Sequence, residues 1–229
     1  MKLFGVPGEK LLGDDGAGTF DMIFQNHDVF FVDTASDMCA FTRASVIDGT
    51  IVDWPAAHPK TAAVLDDMAK PEASILSARY WTILPAAFGA DDHAKFSLQP
   101  ELLLEPPSSQ PPDPNYLAAD LAKRLKTDDA RFVLSVQRRT NPATMPLDEA
   151  TVRRLEEESP FLPLADLVLP PQDILSGDTA EYGENRAFNI WRVTAAHEPA
   201  GSIARARRTV YAASAHLRRS TNGVSESEP

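Results

Sequence analysis

The residues best suited to chemistry lie near the carboxyl end, in the segment 202–219. Its composition predicts a helix, and at about 100° per residue Arg207, Tyr211 and Arg218 fall on one face. A guanidinium one turn from a phenol favours the ionised phenolate, which is a known ligand of ferric haem iron, and a second guanidinium could bind a haem carboxylate. The spacing therefore allows a tyrosine-ligated haem site, although an Arg-x-x-x-Tyr pair also occurs by chance on amphipathic helices.

The charge of the chain limits its partners. The 229 residues carry a formal net charge of -11, which argues against nucleic acid and against an anionic membrane surface. The segment 199–221 nevertheless contains five arginines and no acidic residue. Such a cationic helix in an acidic protein indicates either an anionic ligand or pairing with acidic loops of the same fold.

Cysteine content and motifs exclude several other classes. Cys39 is the only cysteine, so no intrachain disulfide can form, which fits a cytoplasmic setting. The sequence has no apolar run of about 18 residues and no apolar core of a signal peptide near Met1. Nucleotide-binding glycine motifs, CxxC and HExxH are absent, and the five histidines are isolated.

Local patterns predict an α+β chain without a clean domain boundary, so we expect one domain over 1–229. The predicted strands are 20–24, 29–32, 74–84, 95–98, 131–138 and 161–169. The predicted helices are 36–46, 59–68, 113–126 and 202–219. The segment 170–199 has little periodicity, which is typical of an arm that wraps another surface.

Several stretches resemble, in their shared order, the haem catalase family and its short catalase-related members. They are NHDVFFV (26–32), YW followed by AKFSL (80–81, 94–98), DPNYL (113–117), ARFVLSVQRRTNPATMP (130–146), SPFLPLADLVLPPQD (159–173), AFNIWR (187–192) and the helix with Arg207 and Tyr211. Together they run over nearly the whole chain. The resemblance implies an antiparallel β-barrel, here incomplete, with flanking helices, the 170–199 arm and haem b.

The resemblance also implies roles for individual residues. Tyr211 matches the iron ligand, Arg207 the arginine that keeps it ionised, and Arg218 an arginine that binds a haem propionate. The other matches lie around the haem: Phe30 and Phe31 match aromatic residues of the distal side, Gln25 or Asn26 the distal asparagine, and Met38 a phenylalanine packed near the haem.

One part of the family pattern has no counterpart. The family's distal histidine and first two barrel strands precede the region that Met1 matches, and His27 lies on a different element from that histidine. From this we expect an N-terminally truncated catalase relative or a sequence with a misplaced start.

Three functions are compatible with these features. The first is a catalase-like enzyme that decomposes hydrogen peroxide in oxidative-stress defence, with activity in doubt because the distal histidine is absent. The second is a relative that converts an organic or fatty-acid hydroperoxide, and the third is a non-catalytic haem-binding remnant. A homo-oligomer is also plausible, because the arm would expose Phe188, Ile190 and Trp191 unless they are packed.

Overall fold

The computed structural model describes residues 1–13 and 18–225, which form six α-helices and seven strands. They also form a π-helical segment (Arg43–Ile47) and two 3₁₀ turns (Ile51–Asp53 and Ala195–His197). The helices are α1 (Ala35–Thr42), α2 (Trp54–Ala57), α3 (Pro59–Met68), α4 (Tyr116–Leu125), α5 (Gly177–Glu184) and α6 (Ser202–Asn222). The strands are β1 (Lys2–Leu3), β2 (Phe20–Asp21), β3 (Tyr80–Trp81), β4 (Ala86–Ala87), β5 (His93–Pro100), β6 (Ala130–Arg138) and β7 (Leu162–Leu169). Within these ranges no helix has the length and apolar character needed to cross a membrane.

All strand pairs are antiparallel. β1 and β2 form a small ribbon, and the larger sheet has the order β3-β5-β6-β7, with β4 also paired to β5. The β5–β6 ladder is regular from Ala94 opposite Arg138 to Pro100 opposite Phe132. The next ladder, between β6 and β7, shifts register between Leu134 and Ser135. The α+β class is thus confirmed, whereas the strands described form an open sheet and show no closed barrel.

The central strand β5 is covered on both faces. Ala94 and Phe96 pack with Val136, and Leu98 packs with Phe132 and Leu125. The alternate residues of the strand, Lys95 and Ser97, point to the other face and are also buried, at 5% and 0% exposure. Lysine side chains are almost never fully buried unless they are paired, so the position of Lys95 is unusual.

The prediction of a strand over 29–32 is wrong, since that segment is irregular. The Gln25 side chain donates from Nε2 to the Val29 carbonyl over 2.9 Å, and His27 Nδ1 lies 3.0 Å from the same oxygen. These local hydrogen bonds occupy a backbone acceptor that a β ladder would need. The predicted strand 74–84 is likewise reduced to Tyr80–Trp81, because residues 74–77 form a turn.

The segment 170–199 contains α5 and a 3₁₀ turn at Ala195–His197, and it lies along several other elements. It begins at α4, where Gln172 donates to the Leu125 carbonyl, and passes β2, where Asp21 donates to the Arg192 carbonyl. It ends beside β4, where Ala87 donates to the Glu198 carbonyl. Backbone hydrogen bonds thus join both ends of this arm to neighbouring elements.

Two of the three apolar side chains that suggested an oligomer are packed within the chain. Trp191 is 6% exposed, and Ile190 packs against the cluster of Phe30, Ile83 and Ile203. Phe188 stays 38% exposed, with Lys2 Nζ 5.2 Å from its ring centroid. For Ile190 and Trp191, this packing removes the reason to expect a partner copy.

Candidate functional site

The start of α6 is set by contacts from distant parts of the chain. Gly201 precedes the helix with φ 92°, and a Cβ there would lie 2.6 Å from the Leu147 carbonyl oxygen. The Ser202 amide and hydroxyl both donate to Asp148 Oδ1, over 2.5 and 2.6 Å. A carboxylate at the first turn satisfies free amides and favours the positive end of the helix dipole. Gly201 and Asp148 therefore fix where the helix begins.

The arm then holds the first two turns of α6. Trp191 Nε1 donates to the Ala204 carbonyl over 2.6 Å, and Asn189 Nδ2 donates to the Arg208 carbonyl over 3.1 Å. Ala204 is fully buried in the same cluster as Phe30. These contacts turn the Arg207 and Tyr211 face of the helix toward Phe30.

Arg207 lies between two aromatic rings at the centre of the site. Its guanidinium carbon is 5.2 Å from the Phe30 ring centroid and 5.7 Å from the Tyr211 ring centroid. Both distances are within the range of cation–π attraction. Burial lowers the pKa of Arg207, and the Coulomb attraction of Tyr211 partly opposes that shift. Arg207 also reaches the wall of a small apolar cavity of about 60 Å³ that is lined by Ile83 and Ile190.

The Tyr211 phenol has an oxygen that no described residue engages. The hydroxyls of Tyr80 and Tyr116 donate to the carbonyls of Ile75 and Glu72, whereas no such bond involves Tyr211. A half-buried phenol with a neighbouring guanidinium and an unused oxygen is a suitable donor for ferric iron. Tyr211 and Arg207 therefore fit a tyrosine-ligated haem. The site needs no acidic or histidine cluster, and the described residues contain none that could hold a metal ion.

Phe31 and Met38 lie beside this centre. Both pack against the cluster that contains Phe30. The Phe31 ring contacts Phe30 at a centroid distance of 4.5 Å and Phe41 at 4.9 Å. The structure thus brings together five of the predicted site residues, namely Phe30, Phe31, Met38, Arg207 and Tyr211.

Gln25 and Asn26 are engaged elsewhere. Gln25 pairs by its backbone with Trp81 and directs its side chain to the Val29 carbonyl. Asn26 donates from Nδ2 to Glu72 Oε1 over 3.0 Å at an exposed position. No hydrogen bond or ring contact of the described residues joins either side chain to Arg207 or Tyr211.

His27 is the histidine nearest to these two residues in sequence, and both its ring nitrogens have neighbours. Nε2 lies 3.0 Å from Asp67 Oδ2 on α3, and Nδ1 lies 3.0 Å from the Val29 carbonyl oxygen. Hydrogen bonds from Lys70 first, and from His27 second, lower the pKa of Asp67 to about 2. In this structure His27 holds the 25–29 loop against α3.

Arg218 lies two turns beyond Tyr211 and contacts the protein itself. Its Nη2 donates to the Arg186 carbonyl, while its buried Nε has no hydrogen-bond partner among the residues described. An unpaired buried donor is costly, so Arg218 keeps capacity for an acceptor that the chain does not provide.

Sequence reasoning missed the residues that position the helix. Asp148 carries no signal beyond being an acidic residue in a turn, and its pairing with Ser202 spans 54 positions. Asn189 and Trp191 lie in the stretch AFNIWR, whose only signal in the sequence is the family resemblance. Their hydrogen bonds to α6 carbonyls depend on how the arm packs.

Comparison with known proteins gives a clear result at the level of structure alone. No family model matches the sequence, and no curated protein matches it. Three solved structures superpose on it, each with probability 1.00: a fungal catalase, a bacterial catalase and catalase A from Saccharomyces cerevisiae. Their TM-scores are 0.71, 0.70 and 0.71, at sequence identities of 15%, 12% and 13%.

The extent of these matches is uneven. They cover 87%, 88% and 87% of this chain but only 45%, 43% and 46% of the three catalases. This chain therefore spans less than half the length of the structures it resembles. At such low identity, the match is one of architecture rather than of residues. The chain has the fold of the catalases.

Proposed function

We propose that this chain binds haem b through Tyr211 and acts on a hydroperoxide, with hydrogen peroxide as the first candidate substrate. The observation that carries the proposal is the placement of Arg207 over both Tyr211 and Phe30 on a helix of a catalase fold. When bound, haem supplies the redox chemistry, and the protein supplies binding, orientation and electrostatics.

Each residue of the cluster has a defined role in this proposal. Tyr211 would provide the oxygen that binds the iron, and the positive charge of Arg207 would stabilise the anionic form of that phenol. Phe30 and Phe31 would exclude water from the pocket, and Met38 would pack beside them. Arg218, with its unpaired Nε, would receive a carboxylate of the haem edge.

The direct test is a haemin titration of the purified protein, followed by its Soret and charge-transfer bands. Tyr211→Phe removes the ligating oxygen but keeps the ring, so we expect the ferric-phenolate charge-transfer band to disappear and haemin affinity to fall about tenfold or more. Tyr182→Phe is the matched control, because Tyr182 also lies under an arginine, with the Arg186 guanidinium 3.7 Å from its ring centroid. Equal spectra for wild type and Tyr211→Phe would contradict the proposal.

A second measurement separates the three functions. Oxygen release from hydrogen peroxide would indicate catalase-like turnover, and consumption of a fatty-acid hydroperoxide without oxygen release would indicate the organic substrate. A haem spectrum with neither activity would identify a haem-binding protein without turnover. Val29 engages the side-chain amide of Gln25, and Glu72 engages that of Asn26. Turnover of either hydroperoxide would therefore need another residue to orient the substrate.

A further inference from the structure

A second cavity holds two buried cations that the proposed haem site does not use. It measures about 130 Å³ and lies on the face of β5 that carries Lys95. Lys95 and Arg154 line it and are 5% and 6% exposed. Arg154 Nη1 and Nη2 have no hydrogen-bond partner among the described residues. Within the same part of the chain, no hydrogen bond or ion pair involves Lys95 Nζ.

The carboxylates of the cavity wall are already matched by other arginines. Asp28 accepts two hydrogen bonds from Arg153, over 2.5 and 2.9 Å. Glu156 accepts one from Arg79 over 2.8 Å. Once these pairs are set aside, neither Lys95 nor Arg154 has a hydrogen-bonded carboxylate partner among the residues described.

Two uncompensated charges at such a position are strongly unfavourable. A buried charge is retained in proteins when it is paired, and two like charges in one site repel. Burial first and the charge of Arg154 second lower the pKa of Lys95 to about 7, while Asp28 acts weakly in the opposite sense. Burial likewise lowers the pKa of Arg154 to about 10. In both cases burial outweighs the attraction of the nearby carboxylates, Asp28 for Lys95 and Asp92 for Arg154.

We propose that Lys95 and Arg154 bind a small oxyanion of the phosphate class in this cavity. A dianion would neutralise both side chains, and the planar guanidinium of Arg154 can donate two parallel hydrogen bonds to such an ion. The volume holds an ion of this size, since a single water needs only about 10–15 Å³ on the same measure. Trp81 and Phe161 also line the cavity.

The test is thermal unfolding of the full chain with inorganic phosphate, with sulfate and with chloride at matched ionic strength. Phosphate and sulfate should each raise the melting temperature by about 5 °C or more near saturation, because they bind only the folded state. Chloride should leave the melting temperature within about 1 °C of its starting value, since it cannot form the parallel hydrogen bonds.

Glycerol 3-phosphate tests whether the cavity also accepts a phosphate ester. If glycerol 3-phosphate raises the melting temperature as much as phosphate does, the cavity accepts a phosphate ester. If it does not change the melting temperature, the site is restricted to the free ion.

Two variants assign the effect to the cavity. Lys95→Met and Arg154→Met should each abolish the oxyanion shift, and by removing a buried charge they should melt at or above the wild-type temperature without anion. Lys123→Met, an exposed lysine on α4, is the control and should keep the full shift. Isothermal calorimetry with phosphate gives a second readout, in which Arg154→Met should weaken affinity about tenfold or more.

Two results would overturn the inference. One is an equal response of wild type to phosphate, sulfate and chloride. The other is an undiminished phosphate shift in both cavity variants, which would place the ion elsewhere on the surface. If either variant fails to fold, calorimetry of wild type at pH 6 and pH 9 with sulfate decides, because sulfate keeps its charge while Lys95 loses its proton. Unchanged affinity between these pH values would then contradict the site.

Discussion

Arg207 and Lys95 show how the same kind of charge can be buried in two different ways. Arg207 lies over the rings of Phe30 and Tyr211, so aromatic faces and a phenol compensate part of its lost hydration. Lys95 has no comparable partner among the described residues, and Asp28, the carboxylate that attracts it, is bound by Arg153. The first arrangement suits a ligand held by Tyr211, and the second suits an anion that binds Lys95 itself.

The titration of Lys95 predicts how stability depends on pH in the absence of a bound oxyanion. Its pKa is about 7 in the folded chain against 10.5 for the ordinary value. Between these pH values the unfolded chain binds the additional proton, so the free energy of unfolding should rise from pH 7 to pH 10. The charged groups that face Lys95 are Asp28, Arg153, Arg154 and Glu156.

Urea denaturation at pH 7, 8, 9 and 10 in a buffer without oxyanions measures this dependence. Lys95→Met should remove most of the rise, and Lys123→Met should retain it. An equal slope in wild type and Lys95→Met would show that Lys95 keeps an ordinary pKa.

At the scale of the element, α6 depends on neighbours for its first turn. Thr34 caps α1 with its own side chain and forms a reciprocal pair with Asp37. Asp148 caps the first turn of α6 instead, because the residue before the helix is Gly201, which has no side chain. The orientation of Arg207 and Tyr211 therefore depends on the contact between the Asp148 turn and the helix start.

Gly201→Ala should destabilise the protein by about 1–3 kcal/mol, because the added Cβ would be strained at positive φ and would meet the Leu147 carbonyl oxygen. Gly223→Ala at the other end of α6 is the matched control. Gly223 also has positive φ, at 69°, but its Cβ would meet no atom within 4 Å. Its cost should be limited to about 1 kcal/mol from the backbone conformation. Equal losses in urea denaturation would show that the Leu147 contact is unimportant.

At the scale of the whole molecule, Asp21 connects the first ribbon to the arm. Its carboxylate is fully buried and lies 2.8 Å from Lys2 Nζ and 2.7 Å from Arg192 Nη1. It also accepts a hydrogen bond from the Asn189 amide over 2.9 Å. Because Asn189 also bonds to α6, this network links the β1–β2 ribbon to the helix that carries Tyr211.

Asp21→Asn should reduce the free energy of unfolding by about 3 kcal/mol, since it removes the charge between two buried cations. Asp129→Asn is the control, because Asp129 pairs with Arg131 at the surface and should cost at most about 1 kcal/mol. Urea denaturation measures both. Haemin affinity gives a further readout, measured where the Asp21→Asn variant is still folded. A weaker affinity there would show that the β1–β2 ribbon helps to position Tyr211. A stability loss no larger than that of Asp129→Asn would contradict the structural role of Asp21.

Local sequence determined several elements on its own. The helix predicted at 59–68 is observed at Pro59–Met68, and the strand predicted at 131–138 is observed at Ala130–Arg138. The pattern in 202–219 also placed Arg207 and Tyr211 on one helix face, because 3.6-residue periodicity depends only on neighbours in sequence. The order of short stretches pointed to the catalase fold, which the structural comparison confirms.

The tertiary structure alone decided which side chains meet. The segment 29–32 has the composition of a strand, but hydrogen bonds from Gln25 and contacts with His27 take its backbone acceptor. Arg218 faces the arm at Arg186, and Lys95 and Arg154 share a cavity although 59 positions separate them. Periodicity is a property of neighbouring residues, whereas burial and charge pairing depend on segments that are distant in sequence and meet only in the folded chain.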